Sequence, residues 1–133
     1  MTIKNRERGF TLIEVMVVIT VILILLGMAM PIYTHSIRRA REERLRRNLD
    51  TLNEGIFQYT LDKQKTPESL QDLKSAGYID NVPDDITGSA DTWETESGED
   101  FIMSLDQKEK GGIIGVHSGS QQVGSDGKAY STW

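Results

Sequence analysis

Few residues of this chain have the type and spacing to do chemistry, and the clearest is a carboxylate in an apolar setting. Glu14 lies inside Phe10–Tyr33, FTLIEVMVVITVILILLGMAMPIY, where only Thr11 and Thr20 are otherwise polar. A charged residue at the centre of a membrane span costs on the order of 2.5–3.5 kcal/mol, and less within a turn of the end. Glu14 either reaches back to the headgroups or is held for a cationic partner. Nothing else in the run is cationic, so a partner must come from another chain or from a terminal amine. Catalytic chemistry finds little support. His35 and His117 are the only histidines, and the adjacent pair His117-Ser118 forms no nucleophile elbow. Cysteine is absent, which removes thiol nucleophiles, disulfides and cysteine-based metal sites. No glycine pattern matches a phosphate loop or a dinucleotide fingerprint. The chain therefore reads as a non-enzyme.

The element that must position Glu14 is the apolar run itself. Its 24 residues reach about 36 Å as a helix, enough for a hydrocarbon core of roughly 30 Å. A cleaved secretory signal would have a shorter apolar region ending in small residues. This run instead continues into Pro31, Ile32 and Tyr33. Gly27 and Pro31 are four apart, so the residue that cannot donate to the carbonyl of residue 27 faces a glycine there. The pair marks an expected kink or local melting point, although both types are tolerated in membrane helices. Lys4, Arg6 and Arg8 flank one end, and six arginines between Arg38 and Arg47 flank the other. Charge alone leaves the orientation undecided.

The chain holds 15 basic and 20 acidic residues, a net −5 that hides a division. Residues 1–47 carry nine Lys/Arg against four Asp/Glu, or +5; residues 48–133 carry six against sixteen, or −10. An acidic main domain argues against nucleic-acid binding. The arginine-rich neck suits either anionic headgroups or the acidic domain of a neighbouring copy. Beyond Tyr33 the helical pattern continues: Ile37, Leu45, Leu49, Leu52, Ile56 and Tyr59 form one apolar stripe. A helix from Phe10 to about Leu61 would be roughly 75 Å long. Gly55 weakens it locally by about 1 kcal/mol without ending it. Thr66-Pro67-Glu68 predicts a short helix, with Thr66 as N-cap, Pro67 at its first position, Leu70 and Leu73 inward and Gly77 at its end. Phe101–Leu105 and Ile113–His117 read as strands joined through Lys108–Gly112, with Thr92–Thr95 a third candidate. The apolar supply after residue 62 is thin, so this part needs the helix stripe for its core.

Arg8-Gly9-Phe10-Thr11-Leu12-Ile13-Glu14-Val15-Met16, followed by the apolar run, resembles the class III signal of type IV prepilins and pseudopilins. The resemblance implies cleavage by a prepilin peptidase between Gly9 and Phe10 and methylation of the new Phe10 amine. It assigns Glu14 to subunit assembly, paired with the N-terminal amine of a neighbour, and Pro31 to the point where the helix melts in filaments. It also resolves the orientation: leader in the cytoplasm, acidic domain in the periplasm.

A looser resemblance covers the C-terminal part. Gly77-Tyr78-Ile79, Val82-Pro83-Asp84, Thr87-Gly88-Ser89, Asp91-Thr92-Trp93, Gly112-Ile113-Ile114 and Val116–Ser120 look like the major, G-type pseudopilins of type II secretion. Those proteins resemble one another in a calcium loop after the last strand. Here residues 117–128 read HSGSQQVGSDGK, with Asp126 the sole carboxylate, whereas calcium takes six to eight oxygens. No cofactor is expected, with calcium in this loop as the alternative.

The expectation is an α+β, pilin-like fold. Residues 1–9 form a leader, 10–33 a transmembrane helix half and 34–62 an exposed helix half. Residues 63–133 form a small periplasmic domain with an antiparallel sheet. The expected role is a structural subunit of a secretion pseudopilus, a homo-polymer in the bacterial inner membrane. By resemblance its partners are minor pseudopilins, the prepilin peptidase, an inner-membrane assembly platform with its cytoplasmic ATPase, and the lipid bilayer. The alternatives are a surface type IV pilus subunit and, in another class, a membrane-anchored binding module that never polymerises.

Overall fold

A computed structural model describes residues 9–98 and 111–133. The expected leader, residues 1–8 of it, and the expected strand Phe101–Leu105 with most of its turn lie outside the described residues. The fold is α+β, as the sequence predicts: a long N-terminal helix and a small antiparallel sheet. Two compact units are present, Met1–Arg38 and Arg39–Trp133.

The first unit is helical from Leu12 onward. Helix α1 runs Leu12–Lys63 and stays helical through Gly27 and Pro31. Thr34 Oγ donates to the Pro31 carbonyl at 3.0 Å and to that of Met30 at 3.4 Å. The apolar side chains of this unit are exposed all round, from Phe10 to Tyr33. Among the described residues this is the one helix long and apolar enough to cross a membrane.

The second unit is built on the rest of α1. Leu45, Leu49, Leu52, Ile56 and Tyr59 are buried, so the predicted stripe holds. Ile37 departs from it and is exposed. The stripe instead begins at Glu42, which is buried at the same 3–4 spacing. Gly55 has a positive role here. A Cβ on it would stand 3.1 Å from Ile79 Cγ2 and 3.6 Å from Leu73 Cδ1. The missing side chain lets the α2 segment approach α1 closely.

Helix α2 spans Leu70–Ser75, with Ser69 as its N-cap rather than Thr66. The correction has a physical reason. The Pro67 carbonyl accepts from Ile113 N at 2.8 Å, and Gly112 packs so closely on Thr66 and Pro67 that a Cβ there would collide. The Thr66-Pro67 segment is thus committed to the strand start. Asp72 instead organises the helix entry, accepting from the amides of Glu68 and Ser69, each at 3.0 Å. The end is as predicted. Gly77 takes φ +82°, Gly77 N donates to Lys74 O at 3.1 Å, and Tyr78 N donates to Leu73 O at 2.9 Å. That pair of bonds is a Schellman closure, which favours glycine at the left-handed residue.

Strands β1 (Trp93–Ser97) and β2 (Ile113–Ser118) pair antiparallel, from Trp93↔Ser118 to Ser97↔Ile113. The described partner of β2 is therefore the third candidate strand, extended to Ser97. A bulge between Glu96 and Ser97 leaves Ile114 unpaired in the register. Leu73, Ile79, Trp93, Ile113, Val116 and Tyr130 complete a core with the α1 stripe. The helix also serves the sheet through polar groups: Asn53 Oδ1 accepts from Val116 N at 3.2 Å. Trp93 Nε1 donates to the Pro83 carbonyl at 2.7 Å, which anchors the loop before β1.

Candidate functional site

The assembly residues predicted from sequence lie at the start of α1. Gly9 and Phe10 precede the helix, and Phe10 is 86% exposed. Thr11 is followed three residues later by Glu14, and the two form a reciprocal cap. Glu14 Oε2 accepts from Thr11 N at 2.9 Å and from Thr11 Oγ at 3.1 Å. Glu14 N donates to Thr11 Oγ at 3.4 Å. The sequence reading left Glu14 either to the headgroups or to a partner from another chain or a terminal amine. It overlooked that Thr-x-x-Glu is a capping box, which ties up donors the helix leaves open. The structure thus gives this carboxylate a capping role. It caps its own helix through Oε2, while Oε1 makes no hydrogen bond among the described residues. A carboxylate has acceptor capacity left after such a cap. Glu14 also places negative charge at the helix N-terminus, where the macrodipole favours it.

In the second unit the polar residues concentrate where the C-terminal segment meets α1. Glu42 is 4% exposed. Its Oε1 accepts from Ser125 N at 2.8 Å and from the Tyr130 hydroxyl at 2.9 Å, and its Oε2 accepts from Ser125 Oγ. Sequence reasoning missed this residue because it lies among the arginines of the neck. Its signal was its spacing: residues 42, 45, 49, 52, 56 and 59 share one helix face. A second buried carboxylate, Asp85, gathers Ile86 N at 2.7 Å, Thr92 Oγ at 3.0 Å and Gly119 N at 3.1 Å.

His117 sits between β1 and the chain end. Its Nε2 lies 2.8 Å from Glu96 Oε1, and its Nδ1 lies 2.9 Å from the Trp133 carbonyl. The Trp133 carbonyl, and then Glu96, raise its pKa above the ordinary 6.5; partial burial opposes them, and the charges of Glu96 and Glu94 add to the rise. Arg46 stacks on the Trp133 ring, 4.5 Å from its centroid. An open groove of about 630 Å³ between α1 and the sheet is lined by Arg46, Asp50, His117, Lys128 and Trp133 among others. The neighbouring Ser118 is fully buried and accepts from Ser120 N at 3.2 Å, so it presents no nucleophile.

The calcium alternative is tested by the donor set of the 117–128 loop. Asp126 Oδ1 accepts from Lys128 N at 3.0 Å, and Ser120 Oγ accepts from Gln122 N at 3.3 Å. Among the described residues no group of three or more His, Cys, Asp or Glu converges. Within the loop, the Ser125 amide and hydroxyl donate to Glu42. A calcium cage needs the reverse, oxygens converging on one point. Among the described residues, the one carboxylate of this loop is engaged by its own backbone.

Comparisons with known proteins agree with this layout. Residues 4–30 match the family described as the prokaryotic N-terminal methylation motif. The chain is 31% identical over 78 residues to competence protein ComGC of Halalkalibacterium halodurans, covering 59% of this chain and 76% of that protein. It is 32% identical over 101 residues to type II secretion system core protein G of Klebsiella pneumoniae, covering 64% and 72%. Against core protein G of Escherichia coli the identity is 27% over 119 residues, covering 77% and 75%. No solved structure matches the chain at a comparable level.

Proposed function

The chain belongs to the pseudopilin family of type II secretion core protein G and ComGC, and from that premise we propose how it works as a structural subunit of a type II secretion pseudopilus. A prepilin peptidase cuts between Gly9 and Phe10, and the Phe10 amine is methylated. Helix α1 anchors the subunit in the inner membrane, with Arg39–Trp133 on the periplasmic side. Subunits then leave the bilayer and polymerise side by side through the apolar first half of α1. No catalytic step belongs to the chain. Minor pseudopilins, an inner-membrane platform and the bilayer are its partners; nucleic acid is not.

The observation that carries this reading is the junction at residues 9–14. The methylation motif spans residues 4–30, and α1 begins at Leu12, just past the proposed cleavage position. The glutamate of the motif is fixed there by its own cap through Oε2. An incoming amine at Oε1 would meet a carboxylate already oriented, in a medium where opposite charges attract far more strongly than in water. Gly27 and Pro31 supply the place where the helix yields during packing into the filament. Pro31 leaves the residue 27 carbonyl without its usual donor, so that turn is the weakest in the anchor.

Mass spectrometry of the membrane-extracted protein tests the reading. The expected mature N-terminus is methylated Phe10; an intact Met1, or a cut elsewhere, overturns it. The similarity to a competence protein supports a second reading, a subunit of a competence or surface type IV pilus. Deletion of the gene separates the two. Loss of protein export with surface filaments intact favours secretion, and the converse favours the pilus.

A further inference from the structure

Residues 120–131 form a flap closed by its own backbone hydrogen bonds. Val123 bridges Ala129, Gly124 N donates to Lys128 O at 2.7 Å, and Gly127 turns the chain at φ +80°. Tyr130 N and Ser131 N close the base on the carbonyls of Gln122 and Ser120, at 2.9 and 3.0 Å. The flap's inward groups are donors: the Ser125 amide, the Ser125 hydroxyl and the Tyr130 hydroxyl. Converging donors select an anion. An anion is present, because Glu42 reaches out of the α1 core stripe and receives all three. The carboxylate is 4% exposed, so these bonds form away from competing water.

We propose that Glu42 is the resident anion of this flap, so that the chain fastens its C-terminal segment to α1 with a carboxylate and needs no divalent cation to do so. The inference concerns the folded subunit alone and stands whether or not the pseudopilus reading holds. Sequence separation makes the link consequential. Glu42 and Ser125 are 83 residues apart and Glu42 and Tyr130 are 88 apart, so one residue ties distant parts of the second unit together. The Trp133 ring stacked under Arg46, one turn further along α1, continues the same attachment.

The test is amide hydrogen exchange with thermal unfolding on the full chain in detergent micelles. It is done with EDTA or with added CaCl2, on the native protein and on Glu42→Gln. The native protein is expected to melt at one temperature in both buffers, with residues 120–131 equally protected. Glu42→Gln keeps the size and removes the charge. It is expected to lose about tenfold to a hundredfold of protection in that segment, with no recovery in CaCl2. Should Glu42→Gln not fold, Tyr130→Phe removes one donor and leaves the ring in place; it is expected to show a smaller loss confined to the same segment. Native protein that melts higher in CaCl2 than in EDTA overturns the proposal. So does protection of 120–131 that is unchanged in the Glu42→Gln or Tyr130→Phe chain.

Discussion

Glu14 illustrates how a single residue can serve two ends that one substitution would confuse. It caps α1 through Oε2, and the proposed assembly role uses its charge. Glutamine also closes a capping box but carries no charge. Glu14→Gln is therefore expected to keep the helicity of α1 by circular dichroism and still fail to assemble, as judged by pelleting of sheared filaments. A Glu14→Gln chain that assembles normally would assign the residue to capping alone. His117 gives a second prediction at this scale. Both of its neighbours, the Trp133 carbonyl and the Glu96 carboxylate, are acceptors. Both ring nitrogens can donate only in the imidazolium, which is why the pKa is raised above 6.5. A raised folded pKa means the stabilisation is full below the unfolded value and is lost as pH rises through the folded one. The melting temperature of the native chain should therefore drop further between pH 6 and pH 9 than that of His117→Gln. Parallel pH profiles for the two would show that the contact contributes nothing.

At the scale of elements, the sequence carried some of the fold openly and hid the rest for definable reasons. The α1 stripe from Leu45 to Tyr59 and the glycine stop of α2 were legible, because helical period and left-handed glycine are local properties. The start of α2 was not. Thr66-Pro67 reads locally as a helix entry, yet its backbone is taken by Ile113, 46 residues away. The third strand candidate, Thr92–Thr95, was legible only in part: pairing with β2 carries it to Ser97, and pairing is settled between distant segments. Glu42 was hidden by its neighbours: a buried acid among exposed arginines looks like one more solvated charge. Gly55 was read as a weakness, whereas it provides room for Ile79 and Leu73. Substitution there tests this. Gly55→Ala gains up to about 1 kcal/mol of helix propensity against a 3.1 Å contact that must yield, and is expected to be near neutral. Gly55→Leu is expected to cost about 1–3 kcal/mol by overpacking. Leu73→Ala, which empties the facing site, should cost about 2–5 kcal/mol. Denaturant midpoints read all three. A stabilised Gly55→Leu would mean that α2 does not depend on the close approach.

For the whole molecule the governing quantity is the division of charge. The proposed removal of residues 1–9 would take away Lys4, Arg6, Arg8 and Glu7, a net +2, leaving residues 10–47 with +3 against −10 in residues 48–133. The second unit uses part of its basic neck internally: Arg46 lies on Trp133, and Arg47 sits 3.9 Å from Glu43. Arg39, Arg41 and Arg44 are exposed. These three are the cations best placed to meet the acidic surface of a neighbouring copy, and exposed pairs of this kind are screened by salt. The Debye length falls from about 10 Å at 0.1 M to about 3 Å at 1 M. Contacts between apolar helix halves do not weaken in that way. If charge alternation steers the subunits into register, assembly of the purified mature protein should slow at 1 M NaCl. Replacing Arg39, Arg41 and Arg44 together by glutamine should slow it at low salt and flatten its salt dependence. Light scattering of both proteins across a salt series measures this, and circular dichroism confirms that the folded unit is retained. Assembly of the native chain that is indifferent to salt would leave the apolar helix as the sole determinant of packing. The bipolar charge would then serve only to keep the domain soluble and the neck at the membrane surface.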